Sequence, residues 1–392
     1  MASYPLASDT WSKEEVNAIL DVIESKKFTM GDKVKELEKE FANFFKSKYC
    51  VMTSSGSTAN LIGIASLFFR QKNSLKKGDE VIVPAVSWST TYFPLQQYGL
   101  KLKFVDIDLN TLNYDLIQLE KAITNKTKLI VAVNILGNPN NFTKIKSIIK
   151  GKEIILMEDN CESMGAKFGS EFTGTFGIIG TFSSFFSHHI ATMEGGYILT
   201  DDEEIYHILL SLRAHGWTRD LPMNNLVTSK SNNAFNESFR FVLPGYNVRP
   251  IEMSGAIGIQ QLKKLPDFLY QRRKNADLFK KLFADSQKFI FQKEIGESSW
   301  FGFSFVIKPE CNIDRESIIQ ELNRNHIDVR PIVTGNFVRN EVMKYIDHEV
   351  FGDLKNADLI HEKGFFVGNS HQDLTSEIKF LYSVLKDLGE VY

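Results

Sequence analysis

Cysteine is scarce in this chain of 392 residues: Cys50, Cys161 and Cys311 stand far apart, and no CxxC pair occurs. Scattered thiols of this kind exclude a disulfide scaffold and a cysteine-built metal site, and they fit a reducing compartment. An excess of charge of one sign is also missing. Lys and Arg number 46 against 48 Asp and Glu, with no dense basic run, so the broad positive field of a nucleic-acid binder is absent. No apolar stretch is long enough to span a bilayer, and MASYPLASDTWSKEEVNAIL lacks the basic start and apolar core of a secretory signal. The expectation is a soluble cytoplasmic protein with no metal, no membrane partner and no nucleic-acid partner.

What is present alternates between helix and strand. KELEKEFANFFKSKY (35–49) repeats apolar residues at helical spacing. Short apolar runs bounded by turn residues follow: EVIVPAV (80–86), LKFVDID (102–108), KLIVAVNI (128–135), EIILMED (153–159) and GGYILTDD (195–202). EVIVPAV and KLIVAVNI are apolar on both faces, as strands covered by helices on both sides are. The fold class is therefore expected to be α/β, layered about a mostly parallel central sheet. Past Pro250 the pattern changes. Residues 251–285 read as helical stretches interrupted at Pro266, SSWFGFSFVIKP (298–309) as a strand of a second layer, and RESIIQELNRNHIDVRP (315–331) as a helix and a strand. These features divide the chain into a large α/β domain at 1–260 and a smaller α+β domain at 261–392.

Several segments could carry chemistry. In TSSGSTANLIGIASL, Gly56, Ser57 and Thr58 stand directly before a small-residue helix. Backbone N–H groups at a helix start, helped by hydroxyls, cradle phosphate; a plain Ser/Thr cap is the commoner use of such a sequence. No GKS or GKT follows, so this is not a nucleotide P-loop. The strand EIILMED runs into Glu158, Asp159, Asn160 and Glu162, where α/β proteins place ligands. A buried Asp there needs a cationic partner such as a protonated ring nitrogen, unless it merely caps the next turn. His188 and His189 lie between an aromatic segment and a Glu-Gly-Gly turn. Neighbours in a strand face opposite ways, so at most one of them should enter a given pocket, and a lone histidine is usually structural. Metal-ligand histidine spacing is absent. Trp88, after EVIVPAV, suits stacking on a flat ring or simple core packing. Asn247 and Arg249 fall in a Gly/Pro-bounded turn, and Arg219 and Arg330 are candidate forks for carboxylate or phosphate.

Taken in order, SGSTANL, VPAVSWST and EDNCESMGA resemble the phosphate loop, ring-stacking segment and pyridine-pairing motif of the fold-type I pyridoxal phosphate enzymes, which have the aspartate aminotransferase fold. The likeness is to their sugar-nucleotide branch, the DegT/DnrJ/EryC1/StrS aminotransferases. That family's motif ending in the Schiff-base lysine corresponds here to Ser183-Ser184-Phe185-Phe186-Ser187-His188, and no lysine occurs between Lys167 and Lys230. SHHIATMEGG, RAHGWTRD, LPGYNVRP and RPIVTGNF together are similar to the lysine-less dehydratases of the family, over nearly the whole chain.

The resemblance implies pyridoxal 5'-phosphate and pyridoxamine 5'-phosphate held without a covalent bond. Histidine can move protons near neutrality but cannot tether the cofactor. It further implies L-glutamate as amino donor and GDP-4-keto-6-deoxymannose as the sugar losing its C3 hydroxyl, on a route to dideoxy sugars of the colitose type in O-antigen. By the same likeness His188 is the proton carrier. Gly56, Ser57, Ser183 and Asn247 hold phosphate, Asn247 from a neighbouring subunit of a homodimer with shared active sites. Trp88 stacks on the ring, Asp159 pairs with the ring nitrogen, and Glu162 touches the cofactor. His215, Arg249 and Arg330 are implied for glutamate; Arg219, Phe28, Thr29 and Met30 are implied for the nucleotide sugar. Three other readings compete. A perosamine-type aminotransferase should keep the lysine. An iron–sulfur dehydratase also carries histidine but needs a cluster typically held by four thiolates, which three scattered cysteines cannot supply. A non-enzymatic sensor on this fold leaves Asp159 and the phosphate loop unexplained.

Overall fold

The computed structural model describes residues 3–388. Its main sheet has eight strands, in the spatial order Tyr49–Thr53, Gly196–Thr200, Ile179–Ser183, Ile155–Asp159, Thr127–Val133, Glu80–Pro84, Lys101–Val105 and His348–Val350. Only Gly196–Thr200 runs against its neighbours, so the sheet is mostly parallel. Helices cover both faces, and Glu80–Pro84 and Ile179–Ser183 are buried along their whole length. A second, antiparallel sheet joins Phe289–Ile290, Gly302–Ile307, Gly364–Gly368 and Val329–Arg330 over a separate core rich in phenylalanine. Among the described residues no helix is long and apolar enough to cross a membrane.

Local departures from the sequence reading have physical causes. The helix expected at 35–49 spans Asp32–Phe45 and stops at Lys46, whose φ of 59° is left-handed, and Tyr49 already begins a strand. Pro266 does not interrupt its helix. Glu252–Phe283 runs unbroken, because Pro266 lies on the exposed face while Leu262, Leu265, Phe268 and Leu269 on either side are buried. A lost backbone bond at proline, of about 3 kcal/mol, is outweighed by that burial. The same helix passes through residues 260 and 261. Its first half packs on the large core, and Ala276, Phe279 and Phe283 pack in the small one. Two crossings knit the cores further. Tyr4 is fully buried in the small core, where its hydroxyl donates to Gly368 O at 2.8 Å, and His348–Val350 returns to edge the large sheet.

The N-terminal edge of the large core is locked by a buried ion pair. Arg213 donates to Glu38 and to Met52 O, and Glu38 accepts from Met52 N at 2.7 Å. Arg213 is 3% exposed, so removing it strands a buried carboxylate. Arg213→Met should lower unfolding free energy by about 3–5 kcal/mol in urea titrations; a loss below about 1 kcal/mol would mean that the pair is idle.

Candidate active site

The parallel strands end at one edge, and the candidate residues gather there. Thr53 closes the first strand and is followed by helix Gly56–Phe69, capped by Ser55, whose hydroxyl accepts from Thr58 N at 3.2 Å. An ideal Cβ on Gly56 would stand 2.6 Å from Ser183 Cβ and 3.0 Å from Cys161 Sγ, so the helix start approaches the end of strand Ile179–Ser183 as closely as a bare backbone permits. Ser57 donates to Thr90 Oγ1 at 3.1 Å, linking this turn to helix Ser89–Gln97. Trp88 sits at the N-cap of that helix and is 57% exposed, a flat ring over the edge rather than a core residue.

Asp159 ends the central strand and is 4% exposed. Its Oδ2 accepts from Thr91 Oγ1 at 2.7 Å and from Asn60 Nδ2 at 2.9 Å, and its Oδ1 from Cys161 N at 3.1 Å. Glu158, on the opposite face of the strand, is a different group altogether. It accepts from the backbone of Gly174, Phe176 and Gly177 at 2.6–2.8 Å, and burial pushes it up to about 7. Glu162 lies in the following turn and accepts from Leu136 N at 3.0 Å; burial, with Asp159 nearby, raises it to about 7 as well.

The two histidines occupy a turn between strands Ile179–Ser183 and Gly196–Thr200, not a strand, so side-chain alternation does not decide their directions. His189 is fully buried, with Nε2 3.2 Å from Ser299 O. His188 is half-buried between the rings of Phe185 and Phe301, at centroid distances of 5.9 and 5.3 Å. Its Nδ1 is buried without a partner, and desolvation, followed by the charge of Arg272, holds it down to about 4. At neutral pH this imidazole is an uncharged base.

A second cluster surrounds Trp217. The guanidinium of Arg219 lies 4.3 Å from its ring centroid and that of Arg249 5.7 Å, while the His215 ring is at 4.6 Å. Arg249 Nε donates to the exposed Asn247 at 3.1 Å, and Ser54 N donates to Val248 O at 2.9 Å, which docks this segment beside the phosphate-type turn. Phe28, Thr29 and Met30 join the same region: Thr29 bridges Ile251, Phe28 O accepts from Glu252 N, and Glu252 caps Gly31 and Lys33. Arg330 ends a strand of the small sheet and is exposed, with Nη1 donating to Val329 O at 2.8 Å; a few residues on, Thr334 donates to Ser87 O at 2.7 Å, beside Trp88.

Residues 9–379 match the DegT/DnrJ/EryC1/StrS aminotransferase family. The chain belongs to that family. It is similar to the GDP-4-keto-6-deoxy-D-mannose 3-dehydratase of Escherichia coli O55:H7, with 62% identity over 98% of this chain and 100% of the relative. A solved GDP-4-keto-6-deoxymannose-3-dehydratase with a trapped PLP-glutamate geminal diamine superposes with a TM-score of 0.97 at 61% identity, covering 98% of this chain and 100% of that one. A histidine-to-asparagine mutant of that type of enzyme, solved with bound GDP-perosamine, matches with the same score, identity and coverage.

Sequence reading overlooked several residues of this candidate site. Asn60 and Thr91 hold the Asp159 carboxylate, and Phe301 walls His188. Asn60 had a legible signal, the one amide in the helix STANLIGIASL, whose other residues are apolar or small hydroxyls. Gly56→Ala tests the close approach at the helix start. Overpacking of about 1–3 kcal/mol should weaken pyridoxal phosphate binding about ten- to hundredfold in an absorbance titration; unchanged affinity would mean that the turn holds no phosphate.

Proposed function

We propose that this chain is a pyridoxal phosphate-dependent lyase that removes the C3 hydroxyl of GDP-4-keto-6-deoxy-D-mannose. L-Glutamate regenerates pyridoxamine phosphate, and the products are GDP-4-keto-3,6-dideoxy-D-mannose, 2-oxoglutarate and ammonia, on the route to GDP-colitose and O-antigen. The observation that carries the reading is full-length 62% identity to such a dehydratase, in a chain whose Schiff-base position holds His188.

The residues present suit the cofactor. A glycine-backed helix start at Gly56 and Ser57, with Ser183 against it, fits a phosphate. The buried Asp159, with three neutral donors but no cation hydrogen-bonded to it among the described residues, fits a protonated ring nitrogen. Trp88 offers its exposed face to the ring, and the raised Glu162 offers a carboxyl that is partly protonated near neutrality. Bound there, the cofactor supplies the electron sink for both half-reactions. His188 carries the proton. Kept uncharged by burial, it takes a proton from the glutamate Cα and delivers it to the cofactor carbon, and takes one back when the sugar is bound. With no lysine between Lys167 and Lys230, retention rests on packing and hydrogen bonds alone. Arg249, His215 and Arg330 are assigned to glutamate. Arg219 and Phe28 to Met30 are assigned to the nucleotide sugar, whose diphosphate suits a guanidinium.

A homodimer with shared sites belongs to the same proposal. Phe28, Phe185, Phe186, Phe239, Phe241 and Ile251 are all more than 40% exposed on segments flanking the site, an apolar display that a second copy would cover. Asn247 then reaches the partner's cofactor phosphate.

Purified protein incubated with pyridoxal phosphate, L-glutamate and GDP-4-keto-6-deoxymannose should yield, by mass spectrometry, a sugar lacking the C3 oxygen and carrying no nitrogen. An amino sugar would overturn the dehydratase in favour of an aminotransferase. His188→Asn should keep cofactor binding while 2-oxoglutarate formation falls about 10²–10⁴-fold; a wild-type rate would place the base elsewhere.

A further inference from the structure

Arg272 lies on helix Glu252–Phe283 and is 3% exposed. Its described hydrogen bonds all run from Nη1 to backbone carbonyls: Asn369 O at 2.8 Å, Trp300 O at 3.3 Å and Phe301 O at 3.4 Å. Its Nε has no partner, and no carboxylate pairs with it among the described residues. A buried guanidinium without a counter-ion carries a large desolvation penalty. Stability alone does not account for it, so the carbonyls it holds call for a reason.

Those carbonyls belong to the walls of the histidine pair. Phe301 packs against His188 and, at 5.8 Å, against His189, while Ser299 O meets His189 Nε2. Between them Trp300 takes a left-handed φ of 48°, and Asn369 Nδ2 donates to Trp300 O at 2.9 Å and to Arg272 O at 3.1 Å. The far side of this strap is pinned to residues 136–137: Phe301 N donates to Leu136 O and Ser299 N to Gly137 O, both at 3.0 Å. Leu136 N in turn donates to Glu162. The strap therefore joins Arg272 on one side to the Glu162 turn on the other, with His188 against its middle.

We infer that Arg272 is a positioning residue for His188: its guanidinium clamps the 299–301 strap against the imidazole and keeps a fixed positive charge close by, so that the ring stays aimed and uncharged. This rests on the reading of His188 as the proton carrier. The charged and titratable groups facing the pair are few. His189 is itself held neutral by burial and then by Arg272, and the charge of Arg273 is matched by Glu297 at 3.3 Å. The Phe185 and Phe301 rings on the remaining sides carry no charge, so Arg272 is the unmatched cation.

Full-length apo protein, with histidine rings labelled by nitrogen-15, is titrated by NMR between about pH 2.5 and pH 8, the His188→Asn variant identifying the signal. Arg272→Met, which removes charge and fork, should raise the His188 midpoint by about one pH unit. Arg272→Lys keeps the charge and should leave it within about half a unit. In cofactor-loaded protein the acid limb of pyridoxamine phosphate formation from glutamate should follow the same order, and the Lys variant should lose at least about fivefold in rate because an ammonium cannot span the carbonyl set. An unmoved midpoint in a folded Met variant, or equal shifts in both variants, would overturn the inference. If the Met variant does not fold, the Lys variant decides: a wild-type midpoint with reduced rate supports the clamp, and a wild-type rate refutes it. A wild-type protein inert toward glutamate would sink the functional proposal while leaving the NMR comparison intact.

Discussion

The hydrogen bonds converging on the Asp159 carboxylate organise everything around them. The central strand delivers the carboxylate, helix Gly56–Phe69 donates through Asn60, and helix Ser89–Gln97 donates through Thr91. The phosphate-type turn and Trp88 stand at the starts of these two helices. One buried carboxylate thereby sets the spacing between the turn, the indole and the strand end to which we assign phosphate, ring stacking and the ring nitrogen. Its donors are neutral, and no cation is hydrogen-bonded to Asp159 among the described residues, which leaves the carboxylate available to a cationic ligand.

The histidine pair shows how a change of one side chain type is absorbed by its surroundings. A lysine at this place would hold cofactor and proton with one amine. On the proposed reading His188 retains proton transfer only, and its surroundings suit that: aromatic rings pack on two sides, and a nearby cation opposes protonation. His189 has become a structural tie to the strap at Ser299. Adjacent in sequence, the two rings have separate work because they sit in a turn, where direction is set by packing.

Much of this was legible in the chain itself. Apolar runs bounded by turn residues mark five strands of the main sheet but not Ile179–Ser183, whose glycine, threonine and serine break the apolar pattern although the strand is buried. Gly56 and Ser57 are legible as a helix start and Asp159 as the polar end of an apolar run, whereas Ser183 is named only by the family resemblance. Other parts could not be read. His348–Val350 is three exposed residues whose strand character comes from pairing with Lys101–Val105. Pro266 signals a break that tertiary packing overrides. Asn60 and Thr91 meet Asp159 across 99 and 68 residues, and Arg272 meets the strap through main-chain oxygens that carry no mark in the sequence. The division expected at 260–261 falls within a helix shared by both cores; we propose that the two cores act as domains joined along it.

The crossings between the cores also govern when this chain can fold. Tyr4 fills a core that Leu381 and Leu385 complete from far along the chain. The large sheet likewise waits for its last strand at His348–Val350. Neither core closes until segments far apart in the chain have met, so both depend on long-range pairing, and the phenylalanine-rich half must be kept from premature association until then.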